Sequence, residues 1–192
     1  MIASAAIQYC IQILLPEQVD RRFRHWATAT PGATWPEEGG HVTLLPRMTL
    51  SANAGRVRTA IAAVCSATLP FELRLTRLVL EPHIARPPLW TVLLAERPDE
   101  SRPGPSHDLR RALLSAISPL VSFAGDSYVN SPYRSHITLT LGVDETAGGR
   151  LVSAAGDAGL MAVFRAEAVW LRAYRGSSLD ASRSHAFLLR GR

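Results

Sequence analysis

A chain of 192 residues that is 47% apolar can bury one sizeable core, or two lobes around a shared cleft. Its formal charge of +5 is carried by arginine alone, since all 21 basic residues are arginine. The arginines are scattered along the chain and not clustered, so they give no sign of a duplex-binding patch. Their planar forks match phosphate, although a GC-rich genome would also write its basic residues as arginine.

The apolar N-terminus lacks a basic leader, and Gln8 and Gln12 interrupt it, so Ala6 to Leu15 is expected to be a first strand, not a signal peptide or membrane span. Pro16 stops it, and a helix is expected over Glu17 to Ala27. Thr28 to Gly40, with two prolines and three glycines, is a loop leading into a strand that opens at His41. Asn53 caps a helix over Ala54 to Ser66 with Val57, Ile61 and Val64 on one face. Strands are expected over Phe71 to Leu80 and Leu89 to Ala95, on either side of a proline turn. Arg97 to Pro105 reads as a linker near the midpoint. Ser106 is expected to cap a helix running to Leu120, and a polar loop from Gly125 to Arg134 leads into a strand that opens at His136. A short helix over Gly148 to Leu160 and closing strands over Val163 to Tyr174 and His185 to Leu189 complete an order that looks like two similar α+β halves. Cys10 and Cys65, in neither metal nor CxxC spacing, are expected to be reduced, buried thiols of a cytoplasmic protein.

Two short stretches repeat one pattern. His41-Val42-Thr43-Leu44 and His136-Ile137-Thr138-Leu139 each place a histidine and a threonine two residues apart in a polar–apolar alternation, and the histidines are 95 residues apart. In a strand such residues share a face, about 6.6–6.8 Å apart along the chain. Val42, Leu44, Ile137, Leu139 and Leu141 would then face the core, with Thr140 on the side of Thr138. Two imidazoles across a cleft make an acid–base pair near neutral pH, and each hydroxyl is placed to hold a phosphate oxygen between them. That combination suits in-line displacement at a phosphodiester. Tyr133 and Arg134, immediately ahead of the second motif, are candidates to stack on a base and to hold a phosphate. Trp90 and Trp170 read as core or groove wall, and Arg86 and Arg175 as more remote pocket candidates. The other four histidines, His25, His83, His107 and His185, have no hydroxyl partner two residues on in a strand and read as structural.

The paired motifs resemble those of the two-histidine (2H) phosphoesterase superfamily, with the sequence Tyr133-Arg134-Ser135-His136-Ile137-Thr138 most similar to the plant- and yeast-type cyclic phosphodiesterases. The proteins called 2′,5′-RNA ligases are also similar. The resemblance implies an α+β fold of two pseudo-symmetric antiparallel-sheet lobes with outer helices around a central groove, formed by residues 1–192 as a single domain. It implies metal-independent hydrolysis of nucleoside 2′,3′-cyclic phosphates to 2′-phosphates, without a cofactor, with His41 and His136 catalytic and Thr43 and Thr138 binding substrate. The expected partner is a nucleotide or an RNA-terminal cyclic phosphate, for a monomer that contacts no membrane. A metal enzyme is disfavoured, because two histidines without a third ligand at suitable spacing make a poor zinc site. A 2′,5′-phosphodiesterase acting on RNA ends and a non-catalytic nucleotide-binding module are the alternatives.

Overall fold

The apolar opening segment forms β1 (Ile7–Leu14), and Pro16 turns the chain into α1 (Glu17–Ala29), in a computed structural model that describes residues 6–83, 86–97, 104–124 and 132–191. The first motif opens β2 (His41–Leu50). Asn53 then accepts from the Gly55 amide at 2.7 Å and starts α2 (Ala54–Ala67), which buries Val57, Ile61 and Cys65. β3 (Phe71–Pro82) and β4 (Trp90–Glu96) follow, then α3 (Pro105–Ile117), a 3₁₀ turn (Ser118–Leu120) and the three-residue β5 (Val121–Phe123). The second motif opens β6 (His136–Val143). Asp144 caps α4 (Glu145–Asp157) through the Ala147 amide, and β7 (Ala162–Ala166), β8 (Ala168–Arg175) and β9 (Ser178–Leu188) close the chain.

The strands form two antiparallel sheets, one in the order β5-β2-β1-β8-β9 and the other β6-β4-β3-β7. α2 and α3 pack on each other and reach the five-stranded sheet at β9 and β2, while α4 packs on β3 and β4. The fold is therefore α+β, with one sheet per lobe and helices outside, as expected. The lobes are not the halves of the chain, however. β3 and β4 precede the midpoint yet pair in the four-stranded sheet, and β8 and β9 return to the first. Each motif strand lies in a different sheet, with β2 and β6 in contact where the sheets meet.

Several sequence expectations change for identifiable reasons. The single strand expected over Val163 to Tyr174 is two, broken at Glu167 where the chain crosses from one sheet to the other. α3 starts at Pro105 behind Gly104, so Ser106 is inside its first turn and is not its cap. α4 starts three residues before Gly148, because Asp144 supplies the cap. Most of the expected linker, and the loop residues 125–131, lie outside the described residues.

Candidate active site

Edge-to-edge pairing defines one face of the five-stranded sheet. Cross-strand neighbours share a face, and β1 pairs Leu14 with His41 and Gln12 with both Thr43 and Trp170. Cys10 faces Arg172 and Gln8 faces Tyr174 in the same register. His41, Thr43, Gln12, Trp170, Arg172 and Tyr174 therefore line one side, and Ile11, Ile13, Val42 and Leu171 are buried on the other. In the second sheet His136 pairs with Ala95 and Thr138 with Leu93, while Ile137 and Leu94 form the opposite face. The four motif residues are all half-buried, between buried apolar neighbours.

Both motifs end in the same irregularity. Thr43 pairs with Gln12 and Leu45 with Ile11, so Leu44 is an extra residue; Thr138 pairs with Leu93 and Thr140 with Val92, so Leu139 is another. A bulge of this kind increases twist and re-aims the side chains beside it. Here it ends the alternation. Leu44 and Leu45 are both buried, as are Leu139 and Thr140, and Leu141, expected in the core, is 56% exposed. Thr140 does not join the face of His136 and Thr138; its Oγ1 accepts from the Thr34 amide at 3.0 Å and ties β6 to the loop before β2.

The histidines are oriented alike. His41 Nδ1 lies 3.3 Å from the Gly39 carbonyl oxygen, and His136 Nδ1 lies 2.8 Å from that of Arg134. A carbonyl only accepts, so Nδ1 carries the hydrogen in both, and Nε2 is the atom left to exchange a proton with a ligand. The two imidazoles are near enough for the charge of His136 to act on His41. Burial pushes the His41 pKa below its ordinary value, the Arg172 guanidinium and His136 push the same way, and the Gly39 carbonyl and Glu38 carboxylate oppose them.

The turn that carries His41 is built around Asp20 of α1. Asp20 Oδ1 accepts from Trp35 Nε1 at 2.9 Å and from the Gly40 amide at 2.6 Å, and the Gly40 carbonyl accepts from the Leu15 amide at 3.0 Å. Gly39 has φ +87°, and a Cβ on Gly40 would collide with the Trp35 ring and the Leu15 side chain, so both glycines are required. Ahead of His136 the support is a polar network. Ser135 Oγ donates to Ser106 Oγ at 2.7 Å, Ser106 donates to Glu96 at 3.2 Å, and the Glu96 amide donates to the Ser135 carbonyl at 2.8 Å.

Two candidates separate at this point. Arg134 pairs with Glu81 at 2.5 Å, and Glu81 shares the face of Val79, Leu93 and Thr138, so its guanidinium reaches over the second motif with Nε buried and unpartnered. Tyr133 points to α3 instead. Its ring meets His107 edge-on at 4.9 Å and lies under the Arg110 guanidinium at 4.9 Å, and its hydroxyl lies 3.3 Å from Ser135 Oγ. Tyr133 thus packs against α3. Arg86 is exposed, at the turn before β4. Gln12, Asp20 and Arg172 were not singled out in the sequence, although Gln8 and Gln12 breaking an apolar strand was a visible sign of a polar face. Among the described residues, no group of three or more His, Cys, Asp and Glu is placed to hold a metal ion.

A family model described as the 2′-5′ RNA ligase superfamily matches residues 15–178, a span that takes in both motifs and the turn that orients His41. The chain belongs to this family of two-histidine phosphoesterases. Phosphodiester chemistry, in the broad sense, is what that membership carries. In fold the chain is similar to TT0787 of Thermus thermophilus, at TM-score 0.59 and 17% identity over 96% of this chain and 98% of that one. It is similar to apo LigT of E. coli at TM-score 0.54 and 17% identity, covering 97% and 96%. Usb1 of Kluyveromyces marxianus, in complex with uridine monophosphate, matches at TM-score 0.51 and 14% identity, covering 97% and 99%. None of the curated proteins compared with the chain matches it in sequence.

Proposed function

We propose that the chain hydrolyses nucleoside 2′,3′-cyclic phosphates to 2′-phosphates without a metal, as one two-lobed unit of residues 1–192. The observation that carries this reading is the matched pair of imidazoles, one from each sheet, each with Nδ1 held by the carbonyl two residues earlier and Nε2 left for a proton. One neutral imidazole removes a proton from water as the oxygen attacks phosphorus. The P–O3′ bond breaks, and the other imidazole, protonated, supplies a proton to the departing 3′-oxygen. Thr43 and Thr138 donate to the non-bridging oxygens, and Arg134 offers a guanidinium on the Thr138 side. The nucleotide ligands of two related structures, 3′-AMP in LigT and uridine monophosphate in Usb1, support a nucleotide substrate. A cytoplasmic monomer completes the proposal; the two cysteines are buried and unpaired, and among the described residues no helix is long and apolar enough to cross a membrane.

The experiment is turnover of 2′,3′-cyclic AMP, CMP, GMP and UMP in excess EDTA, with the product identified by phosphorus NMR. An EDTA-resistant 2′-phosphate supports the reading, and a 3′-phosphate product or loss of activity in EDTA overturns it. One feature favours a longer substrate as the second reading. A cleft of about 350 Å³ lined by Leu14, Pro16, Arg165, Glu167 and Trp170 adjoins the β1 end that pairs with His41, and it joins an aromatic ring to a basic side chain. A 2′,5′-linked oligonucleotide or RNA end cleaved in preference to the mononucleotides would establish that reading. Tight binding with no turnover of either would leave a nucleotide-binding module.

A further inference from the structure

We propose that Arg172 is a positioning residue that makes His41 the proton acceptor of the site and leaves His136 as the proton donor. This rests on the phosphodiesterase reading above and adds a division of labour that the paired motifs, alike in sequence and in their Nδ1 contacts, do not contain.

Arg172 lies on β8 and is 4% exposed. A guanidinium stays charged at any pH the protein meets, so one this deeply buried is expected to face a carboxylate. Among the described residues Arg172 has no ion-pair partner. Its two terminal nitrogens reach the Glu38 carbonyl oxygen at 3.5 and 3.4 Å. That carbonyl belongs to the same short turn whose next carbonyl, Gly39, holds His41 Nδ1. The arginine thus fixes the turn that fixes the ring, and it places an uncompensated positive charge where a second one, on His41, is unfavourable.

The groups facing His41 come from three elements. Glu38 and the Gly39 carbonyl lie in its own approach loop and favour its protonation; Arg172 from β8 and His136 from β6 oppose it, as does burial, which is the largest effect. At the second motif Arg77 of β3 shares the face of His136 across Ala95, but it is exposed where Arg172 is buried. The other arginine there, Arg134, is paired with Glu81. With His41 held neutral, its Nε2 lone pair is available to a water, and the water's proton goes to His41 as oxygen bonds to phosphorus. The P–O3′ bond then breaks with the proton of His136 moving to O3′, so the pair returns one proton for the one it takes. Tyr174, under both Arg172 and Arg47 with its hydroxyl 3.4 Å from Gln12 Oε1, forms the wall behind the arginine.

The test reads His41 directly, by imidazole NMR titration of the free full-length chain from about pH 5 to 8. The wild-type His41 midpoint is expected below the ordinary value of about 6.5. Arg172→Gln, which keeps an N–H for the Glu38 carbonyl but removes the charge, should raise the midpoint and shift the acid limb of kcat/KM upward with it. Arg172→Lys, which keeps the charge, should leave both in place. A substrate with sulfur at the bridging 3′ position, whose thiolate departs without a proton, should restore activity to His136→Ala and not to His41→Ala. A wild-type midpoint at or above 6.5, an unmoved midpoint in Arg172→Gln, a raised one in Arg172→Lys, or rescue of His41→Ala instead would each overturn the proposal. A folded wild type that turns over no cyclic phosphate ends the cyclic-phosphate reading and the acceptor role argued for that reaction, while the titrations still decide whether Arg172 acts on His41.

Discussion

His41 and His136 are held by one device used twice: each donates Nδ1–H to the carbonyl of the residue two before it, Gly39 at 3.3 Å and Arg134 at 2.8 Å. Each then shares a strand face with a threonine, and each threonine is followed by a one-residue bulge, at Leu44 and at Leu139. Two strands in different sheets, in contact where the sheets meet, thereby present the same pair of groups.

Acid should weaken the fold through His41. Its folded pKa lies below the unfolded value, so between the two the unfolded chain binds the extra proton and stability falls as pH falls. The contribution is fully present above about pH 6.5 and is lost as pH drops toward the folded value. His41→Asn, whose side-chain amide can still donate to the Gly39 carbonyl, should flatten this part of the profile. Thermal melts of both proteins across that range check it, and parallel curves would contradict it.

Asp20 should matter to activity although it lies on α1, away from both motif strands. Asp20→Ala leaves the Trp35 indole N–H and the Gly40 amide without their acceptor, at a cost of about 1–3 kcal/mol for each donor that stays buried. Urea melts should show the lost stability, and kcat should fall because the His41 turn is no longer fixed. Asp20→Asn, which retains one acceptor oxygen, should sit between the two. Normal kcat in Asp20→Ala would separate the turn from the chemistry.

Thr140 and Tyr133 should report on packing. Thr140→Val removes the acceptor of the Thr34 amide and should cost about 1–2 kcal/mol, with Thr140→Ser near wild type. Tyr133→Ala should cost about 2–4 kcal/mol through loss of the ring held against α3. Neither change should alter the order of preference among the four bases. A reordered preference in Tyr133→Leu would return that ring to the substrate.

The cysteines should be silent in the folded protein. Burial pushes the Cys10 thiol up to about 11 and the Cys65 thiol to about 12, so little thiolate is present in mildly alkaline buffer. A thiol reagent should titrate neither in buffer and both in concentrated urea.

The motif strands were legible because the same short alternation occurs twice and each begins at a loop rich in proline, glycine or polar residues. The helices were legible where a cap residue marks the start, as at Asn53. Ser106 misled because a serine inside a first turn has the same composition as a cap; its hydroxyl donates to Glu96 and receives the Ser135 proton instead. Leu141 and Thr140 misled because a bulge adds one residue without a sequence mark, and a single extra residue reverses every face beyond it. Arg172 was hidden for another reason. Its meaning comes from Glu38, 134 residues away, and local periodicity carries no information about that contact.

The most direct test of paired-histidine catalysis is the rate of 2′,3′-cyclic nucleotide hydrolysis in EDTA for the wild type, His41→Ala, His136→Ala and the double variant, all first shown to be folded by melting. The expected result is a loss of about 10²–10⁴ in each single variant and little further loss in the double, because the imidazoles act as one unit. Near-wild-type turnover in either single variant, or losses that multiply in the double, would contradict it.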